Sequence, residues 1–270
     1  MERVGEHPVP AGPLAVRWLG YSLQSMRAGA LTSISLRLAN AGSATWRARV
    51  LLSCHWLDDR GNPIVWDGPR MSLPHEVVPG EEVEVTAAVR APQPPGAYRL
   101  AFDLLEEFRF WFAEVGSHVL ELEVSVLPRI DERRLAVVLH GAIGPETETA
   151  IRGQDEPLVA DEAVATAHLV AGAIPEPDWS RRLLDAHAEG FAAVGGSIHG
   201  GGRELRPWRS EGGRNPGFAH PLLLPSLLTG FEAAEHHGLP AYFPERFYYG
   251  EPWLYDGRIR LRLRRDRRRA

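Results

Sequence analysis

The chain has 270 residues, 44% hydrophobic and 24% charged, with a formal net charge of −5, a globular balance that excludes a disordered or fibrous protein. A single cysteine, Cys54, excludes an intramolecular disulfide and a cysteine-rich zinc site. All 30 basic residues are Arg, so no mechanism that needs a lysine is open: no P-loop, no Schiff base, no Ser-Lys dyad. Residues 258–270 hold eight Arg and one Asp, a net +7 that leaves −12 for the rest; this excludes a general nucleic-acid binder. No run approaches the ~18 apolar residues of a spanning helix. The polar, Pro-rich start lacks the apolar stretch of a secretory signal, and the expected location is the cytoplasm, with peripheral contact at the inner face of the membrane through the Arg-rich end. The length favours two domains.

From about Leu14 to Leu127 the pattern is one of short β-type runs between turn residues. Ser33 to Leu38 alternates polar and apolar with period two, as a half-buried strand does. Val50 to Leu57 is a second strand, turned by Asp58 to Pro63 into Ile64-Val65-Trp66 as a hairpin. Glu82 to Val89 alternates again, Tyr98 to Leu104 follows Pro94-Pro95-Gly96, and Phe108, Phe110 and Phe112 are expected on one face of the next strand. Val119 to Val126 closes the set. Seven or so strands at this spacing predict an all-β sandwich. Asn40-x-Gly42-x-x-x-Trp46, Pro79-Gly80-Glu81 and Ala91-Pro92-x-x-Pro95-Gly96-x-Tyr98-Arg99 resemble an immunoglobulin-like family, the sandwich type found in the autophagy receptor next-to-BRCA1 and in many bacterial multidomain proteins. His55 to Asp58 and Val65 to Gly68 resemble a bacterial branch of it attached to glycosyltransferases and other polysaccharide-related proteins. The resemblance covers residues 14–127 and implies a fold more than a ligand, since such modules are mostly scaffolds or interaction domains.

Residues 128–134 read as a charged, Pro-containing linker, after which the periodicity changes. Leu135 to Leu139 is a continuous apolar run, suited to a buried parallel strand. Pro145 to Gln154 predicts a short helix with acids in its first turn, Ala165 to Ala171 a strand, Pro177 to Gly190 a helix, and Phe191 to Val194 a third strand running into a Gly-rich loop. Pro221 to His237 reads as helical and Leu239 to Phe243 as one more strand. This order predicts a small α/β domain over 135–257, followed by an Arg-rich strand or tail over 258–270. Within it, Ala171 to Trp179, Leu183-Leu184-x-Ala186-His187, Ala193 to Gly196 and Gly238 to Glu245 resemble the middle and late parts of a family 2 glycosyltransferase of the GT-A fold. The family's metal-holding Asp-x-Asp would fall at Ala171-Gly172-Ala173, which offer no carboxylate for a divalent cation. The resemblance therefore implies a reduced, degenerate GT-A-like domain, with no metal and no cofactor expected and the catalytic residues unknown.

Five of the eight tryptophans, at positions 18, 46, 56, 66 and 111, lie in the first half. Trp46 is expected to plug the core, and Cys54 to be a buried small hydrophobe. Trp66 and Trp111 are candidates for a carbohydrate-binding surface, the alternative being that they cover an interdomain contact. His55 and His75 have no metal-ligand spacing and are expected to be structural or exposed. In the second half Tyr249 and Trp253, in the aromatic cluster from Phe243, are further sugar-stacking candidates, against packing over the domain. The amides of Gly195, Gly196, Gly200 and Gly201, with Arg203 and Arg206, could bind a phosphate or nucleotide, against a mobile loop. Ser197 with His199 lacks the final Gly of a nucleophile elbow. Glu232 and His236 share a helix face but have no third metal ligand. Arg258 to Arg264 alternates strictly and, as a strand, would bury Ile259, Leu261 and Leu263. The Arg-rich end beyond could touch anionic lipid or phosphate-rich glycan precursors.

These features point first to a non-catalytic or weakly catalytic accessory protein of bacterial surface-polysaccharide synthesis that binds a carbohydrate or a partner protein. One alternative is a metal-independent glycosyltransferase with a nucleotide-sugar donor; another is a pure protein-interaction scaffold.

Overall fold

The computed structural model describes residues 1–5, 12–140, 143–160, 163–170, 172–200, 203–205 and 252–263. The chain divides into two compact units, Met1–Leu127 and Pro128–Ala270.

Among the described residues the regular elements of the first unit are strands and one 3-10 turn: β1 (Glu2–Arg3), β2 (Val16–Ser22), β3 (Met26–Arg27), β4 (Leu31–Asn40), β5 (Val50–Leu57), β6 (Pro63–Val65), β7 (Met71–Ser72), β8 (Glu82–Arg90), β9 (Gly96–Glu106), β10 (Phe110–Trp111) and β11 (Leu120–Leu127). One sheet has the order β1-β2-β4-β8. The other runs β3-β11-β9-β5-β6, with β10 paired to β9 and β7 to β5. Both sheets bury one face in a common core, where Ile34, Leu36 and Leu38 of the first meet Leu52, Leu100 and Phe102 of the second. The alternation seen in the sequence is the cause: along β8, Val83, Val85, Ala87 and Val89 are buried while every intervening residue is exposed, because successive side chains point to opposite faces.

The Asn40-x-Gly42-x-x-x-Trp46 spacing has a packing reason. Buried Asn40 donates from Nδ2 to the carbonyls of Ala44 and Val77 at 2.9 Å each and accepts the Gly42 N–H at 3.0 Å, locking the turn after β4. A Cβ on Gly42 would lie 2.2 Å from the Pro13 carbonyl oxygen, so only glycine fits. The turn delivers Trp46 into the core, where it meets Phe112 edge-on at 6.1 Å. Tyr98 donates its hydroxyl to the Pro94 carbonyl, four residues upstream, at 2.6 Å, the corner arrangement typical of sandwiches.

The strand expected to align Phe108, Phe110 and Phe112 does not form. Phe108 sits at a turn with φ +62° and is 97% exposed, only Phe110 and Trp111 are extended, and Phe112 opens a 3-10 turn (Phe112–Val115) and is buried. The i, i+2, i+4 spacing of three aromatics imitates a strand face, but the tight return after β9, with Arg109 N–H donating to the Glu106 carbonyl at 2.9 Å, breaks its phase.

The second unit contains β12 (Leu135–His140), α1 (Pro145–Arg152), β13 (Leu158–Val159), β14 (Ala165–Val170), β15 (Ala173–Pro175), α2 (Trp179–Glu189), β16 (Ala193–Gly200), β17 (Arg203–Leu205) and β18 (Trp253–Leu263). β13-β12-β14 form a parallel sheet; β15-β18-β16-β17 form a mixed one, in which only β16 and β18 are parallel. Helix α2 buries Trp179, Leu183, Leu184, Ala186 and His187, a stripe at helical spacing, against Leu135, Leu169, Ile259 and Leu261. The predicted periodicity of the Arg-rich strand puts Ile259 and Leu261 inward and Arg260 and Arg262 outward, the side chain of Leu263 lies outside the described residues, and β18 lies between β15 and β16. The connector after Leu127 is bonded into this unit: Arg129 N–H donates to the Ala188 carbonyl, and Arg133 pairs with Glu156 and Asp185. A β-rich unit with two helices is what these residues establish, and the GT-A likeness rests on sequence alone. Among the described residues no helix is long and apolar enough to cross a membrane. The helix read over Pro221 to His237, with Glu232 and His236, and the strand read over Leu239 to Phe243 lie outside the described residues.

Candidate functional site

The middle strands of the second sheet of unit one are buried on both faces, which requires something to cover the side turned away from the core. Val50, Leu52, Cys54 and Trp56 of β5 point into the core, so Ser53, His55 and Leu57 point outward. Register then sets the floor: His55 lies opposite Ala101 and Ala101 opposite Glu121, while Ser53 lies opposite Asp103. A methyl group between an imidazole and a carboxylate leaves a hollow. Trp66, Trp111, Ala113 and Glu114 wall it, and the pocket has a volume of about 330 Å³.

Two segments bring the walls in. The chain after β6 returns along β5, with Gly68 N–H donating to the Cys54 carbonyl at 3.0 Å and Ser53 Oγ donating to the Gly68 carbonyl at 3.0 Å. A Cβ on Gly68 would meet the Cys54 oxygen at 2.4 Å and its Sγ at 2.6 Å, so this close return needs a glycine. It places the Trp66 ring on His55, stacked at 4.2 Å. On the other side, Asp103 accepts N–H groups from Leu104 at 2.8 Å and Ala113 at 3.1 Å, the second pinning the 3-10 turn that follows Trp111 and carries Glu114. Trp111 lies 4.3 Å from His55 and 6.3 Å, edge-on, from Trp66. The Arg70 guanidinium lies 4.9 Å from the Trp111 ring centre while donating to Ser53 Oγ, the Gly68 carbonyl and Asp67, so it braces both walls.

The electrostatics follow from burial. Desolvation lowers the His55 pKa below the usual imidazole value; its Nδ1 bonds the Trp66 carbonyl, which can only accept, so the neutral ring carries its proton there and leaves Nε2 as an acceptor. Desolvation raises Asp103 to about 7 against the pull of its two backbone N–H donors, and the charge of Glu114 adds to the rise. Glu114 accepts the Trp111 N–H at 2.9 Å, and Glu121 lies 3.7 Å from Arg99. Flat aromatic surface beside carboxyl acceptors suits a ligand with an apolar face and hydroxyl donors. Among the described residues no group of three or more His, Cys, Asp or Glu is placed to hold a metal ion.

Of the residues singled out by sequence, Trp66 and Trp111 come together here. Trp253 is the first residue of β18, and Tyr249 lies outside the described residues. Gly195, Gly196 and Gly200 are in β16, an extended strand where a loop was expected: it pairs with β18 and, through Gly200 and Arg203, with β17. Consecutive amides in a regular strand point alternately to its two sides, and the register of β16 against β18 shifts between Gly196 and Ser197. Gly201 and Arg206 lie outside the described residues. Asp103 carries one signal in the sequence, an acid in the apolar run Phe102 to Leu105, whereas the row of His55, Ala101 and Glu121 leaves no local pattern.

No family model and no curated protein matches the chain. Among solved structures it is similar to the C-terminal domain of wzt, with 12% identity over 43% of this chain and 75% of that one and a TM-score of 0.29. It is similar to a family 123 glycoside hydrolase from Clostridium perfringens, with 11% identity over 47% of this chain and 26% of that one and a TM-score of 0.25. A Paenibacillus sp. cycloisomaltooligosaccharide glucanotransferase shows 14% identity over 60% of this chain and 21% of its own, with a TM-score of 0.28. The chain thus spans about a quarter or less of either enzyme, and similarities of this size decide neither family nor function.

Proposed function

We propose that the first unit is a carbohydrate-binding module and that Trp66 and Trp111 form its sugar-facing surface, within an accessory protein of surface-polysaccharide synthesis that has no metal-dependent chemistry. The observation that carries the reading is the hollow over Ala101, with two indoles on its walls and carboxyls of Asp103, Glu114 and Glu121 around it. A pyranose has an apolar C–H face to lie on an indole and equatorial hydroxyls to donate to the carboxyl oxygens of Glu114 and Glu121, so both halves of the surface are used at once.

The test is binding of a glycan panel by calorimetry to the full chain and to Trp66→Ala. Trp66 is 53% exposed, so its removal should leave the melting transition nearly unchanged. Loss of a stacking anchor is expected to cost on the order of 2 kcal/mol, about thirtyfold in affinity. Unaltered affinity in Trp66→Ala would remove the proposed surface, and a chain that binds no glycan but retains a protein partner would be an interaction scaffold.

A further inference from the structure

We infer that this pocket, read as the glycan site proposed above, takes sugar units without acid groups and turns away uronic acids and phosphorylated sugars. Among the described residues, every charged side chain in its lining is a carboxyl: Asp103 on the floor, Glu114 and Glu121 beside it. Ionised carboxyls only accept hydrogen bonds. A hydroxymethyl or ring hydroxyl donates to them, whereas a sugar carboxylate or phosphate brings acceptor against acceptor and like charge against like charge.

The neighbouring guanidiniums do not reverse this. Arg70 is held against Trp111 with its N–H groups on Ser53 Oγ, the Gly68 carbonyl and Asp67. Arg99 donates to the Asp59 carbonyl and is ion-paired with Glu121 at 3.7 Å, which offsets part of that carboxylate's charge, and neither guanidinium lines the hollow. His55 supplies no counter-charge either, since burial favours its neutral form and the Trp66 carbonyl takes its Nδ1 proton. Asp103, pushed up to about 7, is charged only in part near neutrality, so Glu114 and Glu121 set the discrimination. The Glu121 side chain is 52% exposed and stands one strand over from Ala101, in the lining of the hollow that the indoles wall.

The experiment is calorimetric titration of the full chain, at low ionic strength so that screening does not hide the effect. The probes are matched hexasaccharides: gluco-, manno- and galacto-oligomers against their C6-oxidised uronates. In a pair that binds, the neutral member is expected to be at least about tenfold tighter, the size of one like-charge contact at roughly 6 Å in a half-solvated cleft. Glu121→Gln combined with Glu114→Gln, which keep shape and an acceptor oxygen, should shrink that ratio severalfold; because the ratio compares two ligands on one variant, a loss of affinity common to both cancels. Equal or tighter binding of the uronate, or a ratio indifferent to both substitutions, overturns the inference and leaves the glycan reading standing. Binding of neither class overturns that reading and this inference with it.

Discussion

Asp103 is fully buried and accepts two backbone N–H bonds, yet burial outweighs them and raises its pKa from 3.8 to about 7. A carboxyl raised on folding binds more protons in the native than in the unfolded state, so its stabilising contribution is complete below pH 3.8 and is lost as pH rises through about 7. His55 works in the opposite sense: with its pKa lowered from 6.5, the contribution of the neutral ring is complete above that value and is lost on acidification. Between the two, the wild-type first unit should show a shallow dependence of stability on pH. Asp103→Asn removes one half of the opposition. Urea unfolding followed by tryptophan fluorescence should then show stability that only falls on acidification, whatever the variant's overall stability. A wild-type pH profile retained in Asp103→Asn would mean that Asp103 ionises in the folded protein as it does in the unfolded chain. The acid was visible in the sequence; its burial was not, because it depends on the 3-10 turn that its Oδ2 holds through the Ala113 N–H.

At the level of elements, the return along β5 is the piece on which the pocket depends. Gly68 passes so close to Cys54 that a methyl group would meet backbone oxygen at 2.4 Å and the buried sulfur at 2.6 Å. Gly68→Ala should therefore lift the 66–70 segment from the strand, costing about 1–3 kcal/mol as overpacking does. Because Trp66 and Arg70 flank that contact, glycan affinity should fall with it. A melting temperature and affinity both equal to wild type would show that the segment has room to move. The strands themselves were legible because period-two alternation is a local property of β4, β8 and β11. The Phe108 to Phe112 segment was misread for the same reason: aromatics at alternate positions satisfy the pattern, while the reversal after β9 is set by where that strand ends.

For the whole molecule, the two units have separate hydrophobic clusters, and acid should weaken the second. His187 of α2 is buried, its ring nitrogen bonds the Phe191 carbonyl at 2.8 Å, and desolvation lowers its pKa to about 4. A depressed histidine adds stability that is complete above its unfolded value of 6.5 and is lost as pH falls through about 4. Calorimetry from neutral to mildly acidic pH should therefore show one transition moving down, and His187→Asn should flatten that movement. A transition that responds to pH in the same way with and without His187 would place the acid sensitivity elsewhere. The sequence by itself determined the alternating strands β4, β8 and β11, the turn after β4, the inward Ile259 and Leu261 and the absence of lysine chemistry, because composition and short-range periodicity act along the chain. Only the tertiary structure decided that His55, Ala101 and Glu121 form one row, that Trp66 and Trp111 meet above it, and that Gly195 to Gly200 are strand. Each depends on which distant segment pairs with which and in what register, and a long-range pairing leaves no mark in the local alternation of either partner.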